Sequence, residues 1–160
     1  MIEKDLSRQE KKEAENLSDI EIRTFGFFTL LINNQTILFD RSQSKAILAY
    51  LVDRRGQSVT REVLADRVLN EEKYDRRVQN RLNVYIYELK RQLKDNDIEN
   101  ILICHKGEYA IDTTAFRCDL YDYLNDYNFP VKEDPGTYLE DYEWARERRA
   151  FLRRIFWKEF

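Results

Sequence analysis

The chain has 160 residues, 42% hydrophobic and 36% charged, which suits one moderate domain. That apolar share is too high for a disordered chain, and no apolar run approaches the roughly 18 residues of a membrane span. With 4 Gly and 2 Pro a linker or turn-dominated fold is excluded, and the net charge of −3 does not by itself point to a polyanionic partner.

Residues 1–19 carry 4 positive and 6 negative side chains with little apolar periodicity. They read as a polar tail or linker without the apolar core of a signal peptide. Residues 20–24 alternate as a strand, Gly26 breaks the run, and 27–32 reads as a second strand. Asn33-Asn34 suits a hairpin turn because Asn tolerates positive φ, and Ile37-Leu38-Phe39 reads as a third strand.

A first helix follows, with Ser42 as its N-cap and Ala46, Ile47, Tyr50 and Leu51 at helical spacing. Gly56 suits the position just past its end. Gln57-Ser58-Val59 reads as a connector. Thr60 caps a second helix with the apolar stripe Val63, Leu64 and Val68. After the loop Asn70-Glu71-Glu72-Lys73-Tyr74, Asp75 opens a third helix that runs to about Lys94.

In that helix Val78, Leu82, Ile86, Leu89 and Leu93 form one narrow apolar face. Opposite lie Asn80, Val84, Tyr87 and Arg91, flanked by Arg77, Arg81 and Glu88 on one side and Asn83 and Lys90 on the other. Residues 75–94 hold six bases, Arg76, Arg77, Arg81, Lys90, Arg91 and Lys94, against Asp75 and Glu88. Asp95-Asn96-Asp97 ends the helix, and 101–111 forms a hairpin around His105-Lys106-Gly107.

The chemistry of catalysis is poorly supplied. There is no Gly-rich phosphate loop, no Ser elbow and no paired-acid motif, and His105 is the only imidazole. Cys104 and Cys118 make no disulfide framework, and with one His they cannot complete a zinc site without carboxylates. The reading is a non-enzyme with structural thiols, no cofactor and no metal, in the reducing cytoplasm and away from membranes.

Strands, two short helices, a longer helix with a basic outer face and a hairpin make an α+β winged helix. The antiparallel strands lead, the three helices form a helix-turn-helix core, and the hairpin is the wing. Four strings carry a resemblance: IRTFGFFTLLINNQ, RSQSKAILAYLVDRRGQSVTREVLADRVL, NRLNVYIYELKRQL and HKGEYAID. In this order they resemble the OmpR-type winged-helix DNA-binding domain, in the version found in SARP-type antibiotic regulatory proteins. The pattern K-x-x-L-A-Y-L falls on Lys45 to Leu51.

Phe116-Arg117-Cys118-Asp119 and a helix at 120–124 look like the segment that leaves the wing in this family. GTYLEDYEWARERRAFLRRI, 136–155, is similar to the opening of a bacterial transcriptional activation domain, a TPR-like helical module. The expected organisation is therefore a tail at 1–19, a winged helix at 20–113 and a helical extension at 114–160. Two positions depart from the family: Leu69 stands where a Trp is usual, and Glu88 where a basic residue is usual.

The resemblance implies a bacterial transcription regulator that places the third helix in the major groove of duplex DNA and the wing beside it. Asn83, Val84 and Glu88 would then meet bases, and Asn80, Arg81, Tyr87 and Lys90 phosphates. Arg76, Arg77 and Arg91 complete the DNA-facing set, and His105 and Lys106 form a basic wing tip suited to the minor groove. Asn pairs with adenine, Val with a thymine methyl, and Glu accepts from a cytosine amino group. The resemblance also implies a polymerase contact for Glu71, Glu72, Lys73 and Tyr74, and paired copies on repeated half-sites. The alternative is a winged-helix protein-interaction module with a degenerate DNA face, which Glu88, Leu69 in place of the usual Trp and the acidic isoelectric point favour.

Trp144, Phe151, Leu152, Ile155, Phe156, Trp157 and Phe160 crowd the final stretch and are costly to leave in water. Either this helix folds back on the winged helix or dimerises, or the chain is cut inside a larger helical module.

Overall fold

The computed structural model describes residues 19–158; all of the expected tail at 1–19 except Asp19, and Phe160, lie outside them. The first strand, β1 (Ile20–Arg23), pairs antiparallel with β2 (Thr29–Ile32), which pairs with β3 (Gln35–Thr36). The turn between β2 and β3 puts Asn33 and Asn34 at φ 52° and 63°, the mirror-image turn that matches strand twist.

The expected third strand at 37–39 does not form. Ile37 N–H donates to Leu30 O, and the chain then leaves the sheet because Gln92 takes its backbone. The Gln92 amide donates to Leu38 O and accepts from Asp40 N–H, so a helix side chain claims what a ladder would use. The strand expected at 27–32 likewise starts only at Thr29, after Gly26 at φ 83°.

Helix α1 (Ser42–Asp53) starts one residue earlier than expected. Arg41 holds the extended N-cap position without a side-chain cap, and the Ser42 hydroxyl donates to Gln43 instead. Residues 57–59 are not a mere connector. Val59 and Thr60 form β4, which pairs with β6 (Glu108–Ile111); β6 in turn pairs with β5 (Leu102–His105). The wing is thus a three-stranded sheet.

Thr60 Oγ1 accepts from Val63 N–H and caps α2 (Arg61–Arg67) as expected. The buried face of α2 is Leu64 and Ala65, whereas Val63 is exposed, a correction to the expected stripe. Helix α3 (Arg76–Asp95) is capped by Asp75, whose carboxylate accepts from Val78 N–H at 2.9 Å. Val78, Leu82, Ile86, Leu89 and Leu93 are all buried, as the periodicity requires. Tyr85 and Gln92 join them, and Ser44 of α1 donates to Tyr85 O at 2.7 Å.

The segment after the wing completes the first sheet. Arg117–Cys118 forms β7, which runs parallel to β1 and gives the sheet the order β3-β2-β1-β7. Asp119, at the start of α4 (Asp119–Asn125), accepts from Thr24 N–H, Thr24 Oγ1 and Phe25 N–H. That carboxylate ends β1 where a longer strand was expected. Cys118 is buried, but Cys104 on β5 is exposed, so only one thiol is structural.

The last helix, α5 (Arg146–Lys158), folds back on the winged helix. Leu152 is fully buried, and Trp144 stacks on Tyr142 at 5.0 Å and meets Tyr50 of α1 edge-on at 5.1 Å. The Tyr138 hydroxyl and Arg148 both bond Asp53, the last residue of α1. Trp157 remains 68% exposed. Among the described residues no helix is long and apolar enough to cross a membrane.

Candidate nucleic-acid interface

With one stripe of α3 committed to the core, the opposite stripe faces outward. Asn80, Asn83, Val84 (44% exposed) and Tyr87 (65% exposed) form its centre. Arg76, Arg77 and Lys90 are exposed around them. The wing lies beside this face, because Lys90 Nζ sits 5.7 Å over the ring of Tyr109 on β6. Lys106 and Gly107 make the wing turn at φ 50° and 76°, with His105 and Lys106 exposed at the tip.

The cationic set is partly neutralised from within. Arg81 donates to Glu71 at 2.7 Å and lies over the Tyr85 ring, and Arg77 stands 3.6 Å from the same carboxylate. Arg91 is engaged by three carboxylates: Glu88 at 2.6 Å, Asp40 at 3.0 Å and Asp95 at 3.3 Å. Its hydrogen bonds to Glu88 and then Asp40 raise its pKa further, so it is charged at every accessible pH. Among the described residues Arg76, Lys90 and Lys94 are in no ion pair. The i, i+3 pair explains how Glu88 is tolerated on a face of this sign.

The loop residues divide. Glu71 and Tyr74 turn inward to Arg81 and Arg61, whereas Glu72 and Lys73 are exposed. Sequence reasoning missed Arg61, which follows the Thr60 cap and lies at the junction of the site. Its Nε donates to Tyr74 Oη at 2.8 Å, its Nη1 to Tyr109 Oη at 3.1 Å, and its Nη2 to Asn83 Oδ1 and Gln79 O. One guanidinium therefore joins α2, the 70–74 loop, α3 and the wing. No local sequence signal pointed to such a partner, because the pairing of Tyr109 with Val59 on β4 that helps to bring it there appears only in the fold. No group of three or more His, Cys, Asp or Glu among the described residues is placed to hold a metal ion.

Residues 34–108, from the β2–β3 turn to the start of β6, match the family described as "Transcriptional regulatory protein, C terminal". This stretch is an OmpR-type winged-helix domain, the DNA-binding domain of transcription regulators. Among solved structures, the fold is similar to EmbR of Mycobacterium tuberculosis, determined in complex with a low-affinity phosphopeptide. The TM-score is 0.64 at 16% identity, over 86% of this chain and 42% of that one. The chain therefore spans less than half the length of that protein, and the shared fold reaches past the wing into the extension. A search of the curated proteins finds no match to the sequence.

Proposed function

We propose that the chain is the DNA-binding part of a bacterial transcription regulator that docks α3 in the major groove and sets the β5–β6 wing in the adjacent minor groove. The observation that carries this is the exposed α3 face of Asn80, Asn83, Val84 and Tyr87, bordered by Arg76 and Lys90 and standing against the wing. Asn83, Val84 and Glu88 are assigned to bases. Arg76, Asn80, Tyr87 and Lys90 are assigned to phosphates, with Arg77, Arg81 and Arg91 reaching them once their carboxylates are displaced. His105 and Lys106 are assigned to the wing contact. Two copies on repeated half-sites suit a domain of this size.

Glu72 and Lys73, exposed beside α3, are assigned to RNA polymerase, and the extension at 114–160 to the start of a transcriptional activation module. Reduced Cys104 on an exposed strand suits the cytoplasm.

The test is a titration of duplex DNA at two or more salt concentrations. Log affinity should fall with log salt by about 0.9 per phosphate engaged, with several phosphates engaged. Absence of binding at low salt would replace this reading with the protein-interaction module, for which the Glu71 and Glu88 ion pairs speak.

A further inference from the structure

The position of Arg61 beside Asn83 bears on which base the interface reads. Asparagine is ambivalent: its amide offers a carbonyl acceptor at one end and two N–H donors at the other. A free asparagine in the major groove pairs with adenine, accepting from N6–H and donating to N7. Here one of that carbonyl's two lone pairs is already taken, and by a cation. Arg61 Nη2 donates to Asn83 Oδ1, and the guanidinium is itself held by Tyr74, Tyr109 and Gln79. Gln79 is fixed in turn, its Nε2 donating to Tyr74 O at 3.2 Å.

A charge-assisted bond of this kind is roughly twice as strong as a neutral one. Turning the amide over would set its N–H groups against a cation. The oxygen's second lone pair lies beside the guanidinium, where the amino group of a base is repelled, so the end left for a base is Nδ2, a pure donor. We propose that Arg61 makes Asn83 a donor-only reader, selecting guanine over adenine, and is thereby a specificity-setting residue although it lies outside the recognition helix. Guanine offers two adjacent acceptors, N7 and O6. Adenine would place its N6 amino group against the same donors, with the guanidinium behind them. This inference rests on the DNA-binding reading above.

The experiment is binding-site selection from randomised duplexes with the full chain as wild type, Asn83→Ala and Arg61→Met. The base pair whose preference Asn83→Ala abolishes is the one that Asn83 reads. We expect G·C there in the wild type, favoured about tenfold over A·T. In Arg61→Met the freed amide should admit A·T at that pair and narrow the ratio to near unity.

An A·T preference in the wild type, an unchanged preference in Arg61→Met, or no position affected by Asn83→Ala would each overturn the proposal. A wild type that binds no duplex at any salt would instead remove the DNA-binding reading itself, and this inference with it. A DNA-free measurement keeps the question open to refutation should Arg61→Met fold poorly. The Asn83 side chain of the wild type should show χ1 couplings of a single rotamer by NMR, and averaged couplings would overturn the assignment.

Discussion

Arg148 Nε stands 2.6 Å from Asp53 Oδ1, joining the C-terminal helix α5 to the last residue of α1. The Asp53 side chain is only 3% exposed, and Tyr138 donates to the same oxygen at 2.6 Å. Arg54 bonds the other oxygen at 3.0 Å. Removing one partner of a buried pair leaves a charge without its counter-ion, which costs roughly 3–5 kcal/mol. Two further donors remain to Asp53 in Arg148→Met, so about 2–3 kcal/mol is expected in urea unfolding. A change below about 0.5 kcal/mol would mean that α5 is not held by this contact.

The same corner makes stability fall in alkali. Burial, with Asp141 adding to it, pushes the Tyr142 hydroxyl up to about 12. Burial followed by Asp53 pushes Tyr138 well above its ordinary value, and burial raises Tyr121 as well. These phenols stay protonated in the folded chain when an unfolded one, ionising near 10, has begun to release its protons. Their contribution is complete below about pH 10 and is lost as pH rises through about 12 for Tyr142 and through the raised values of the other two. Tyrosinate absorbance should show a late group that ionises together with loss of helical circular dichroism. Ionisation of all ten tyrosines at one ordinary midpoint in a still-folded chain would contradict this.

Salt dependence of DNA binding should reveal which cations are restrained. Glu71→Ala releases Arg81 and Arg77, and should steepen the log–log salt slope by about one to two contacts. Glu88→Ala leaves Arg91 with Asp40 and Asp95, so about one contact or fewer is expected. Glu88→Arg, which adds a cation as well, should exceed it by about one. Identical slopes in all of these variants would show that α3 does not face phosphates.

The helix caps give a graded series. Asp75→Ala removes the acceptor of Val78 N–H and Thr60→Ala that of Val63 N–H, each costing about 1 kcal/mol. Ser42→Ala removes no cap and should cost only a few tenths of that. Chemical denaturation of the three variants decides the order; an equal loss in Ser42→Ala would mean that its hydroxyl does cap α1.

What could be read from the sequence was local. The five apolar residues of α3, the Thr60 and Asp75 caps and the Asn33-Asn34 turn are legible because each signal lies within one or two helical turns or one hairpin. The capture of residues 38–40 by Gln92 is not, since nothing in a glutamine on a helix shows that it will claim the backbone of a distant segment. Strands β4 and β7 have two residues each, too short for any alternation to show. The outward face of α3 followed from its period, but its electrostatics did not. Glu71 lies ten residues from Arg81 and Asp40 lies 51 from Arg91, and only the fold brings them together. Arg61 was passed over because an arginine in a first helical turn looks like solvent-facing charge until Tyr74, Tyr109 and Asn83 converge on it.

The parallel strand β7 changes what counts as a separable part of this protein. A winged helix severed at residue 113 would keep its three helices and its wing. It would lose the neighbour of Glu21 and Ile22, and the Asp119 carboxylate that satisfies Thr24 and Phe25. One margin of the first sheet would then lie bare, open to pairing with another chain. The smallest piece that could be inherited, transplanted or fused as a unit therefore ends beyond Asp119. The helical extension meets the DNA-binding domain across an interlocked seam rather than a tether, so a reorientation of one body would have to be felt by the other.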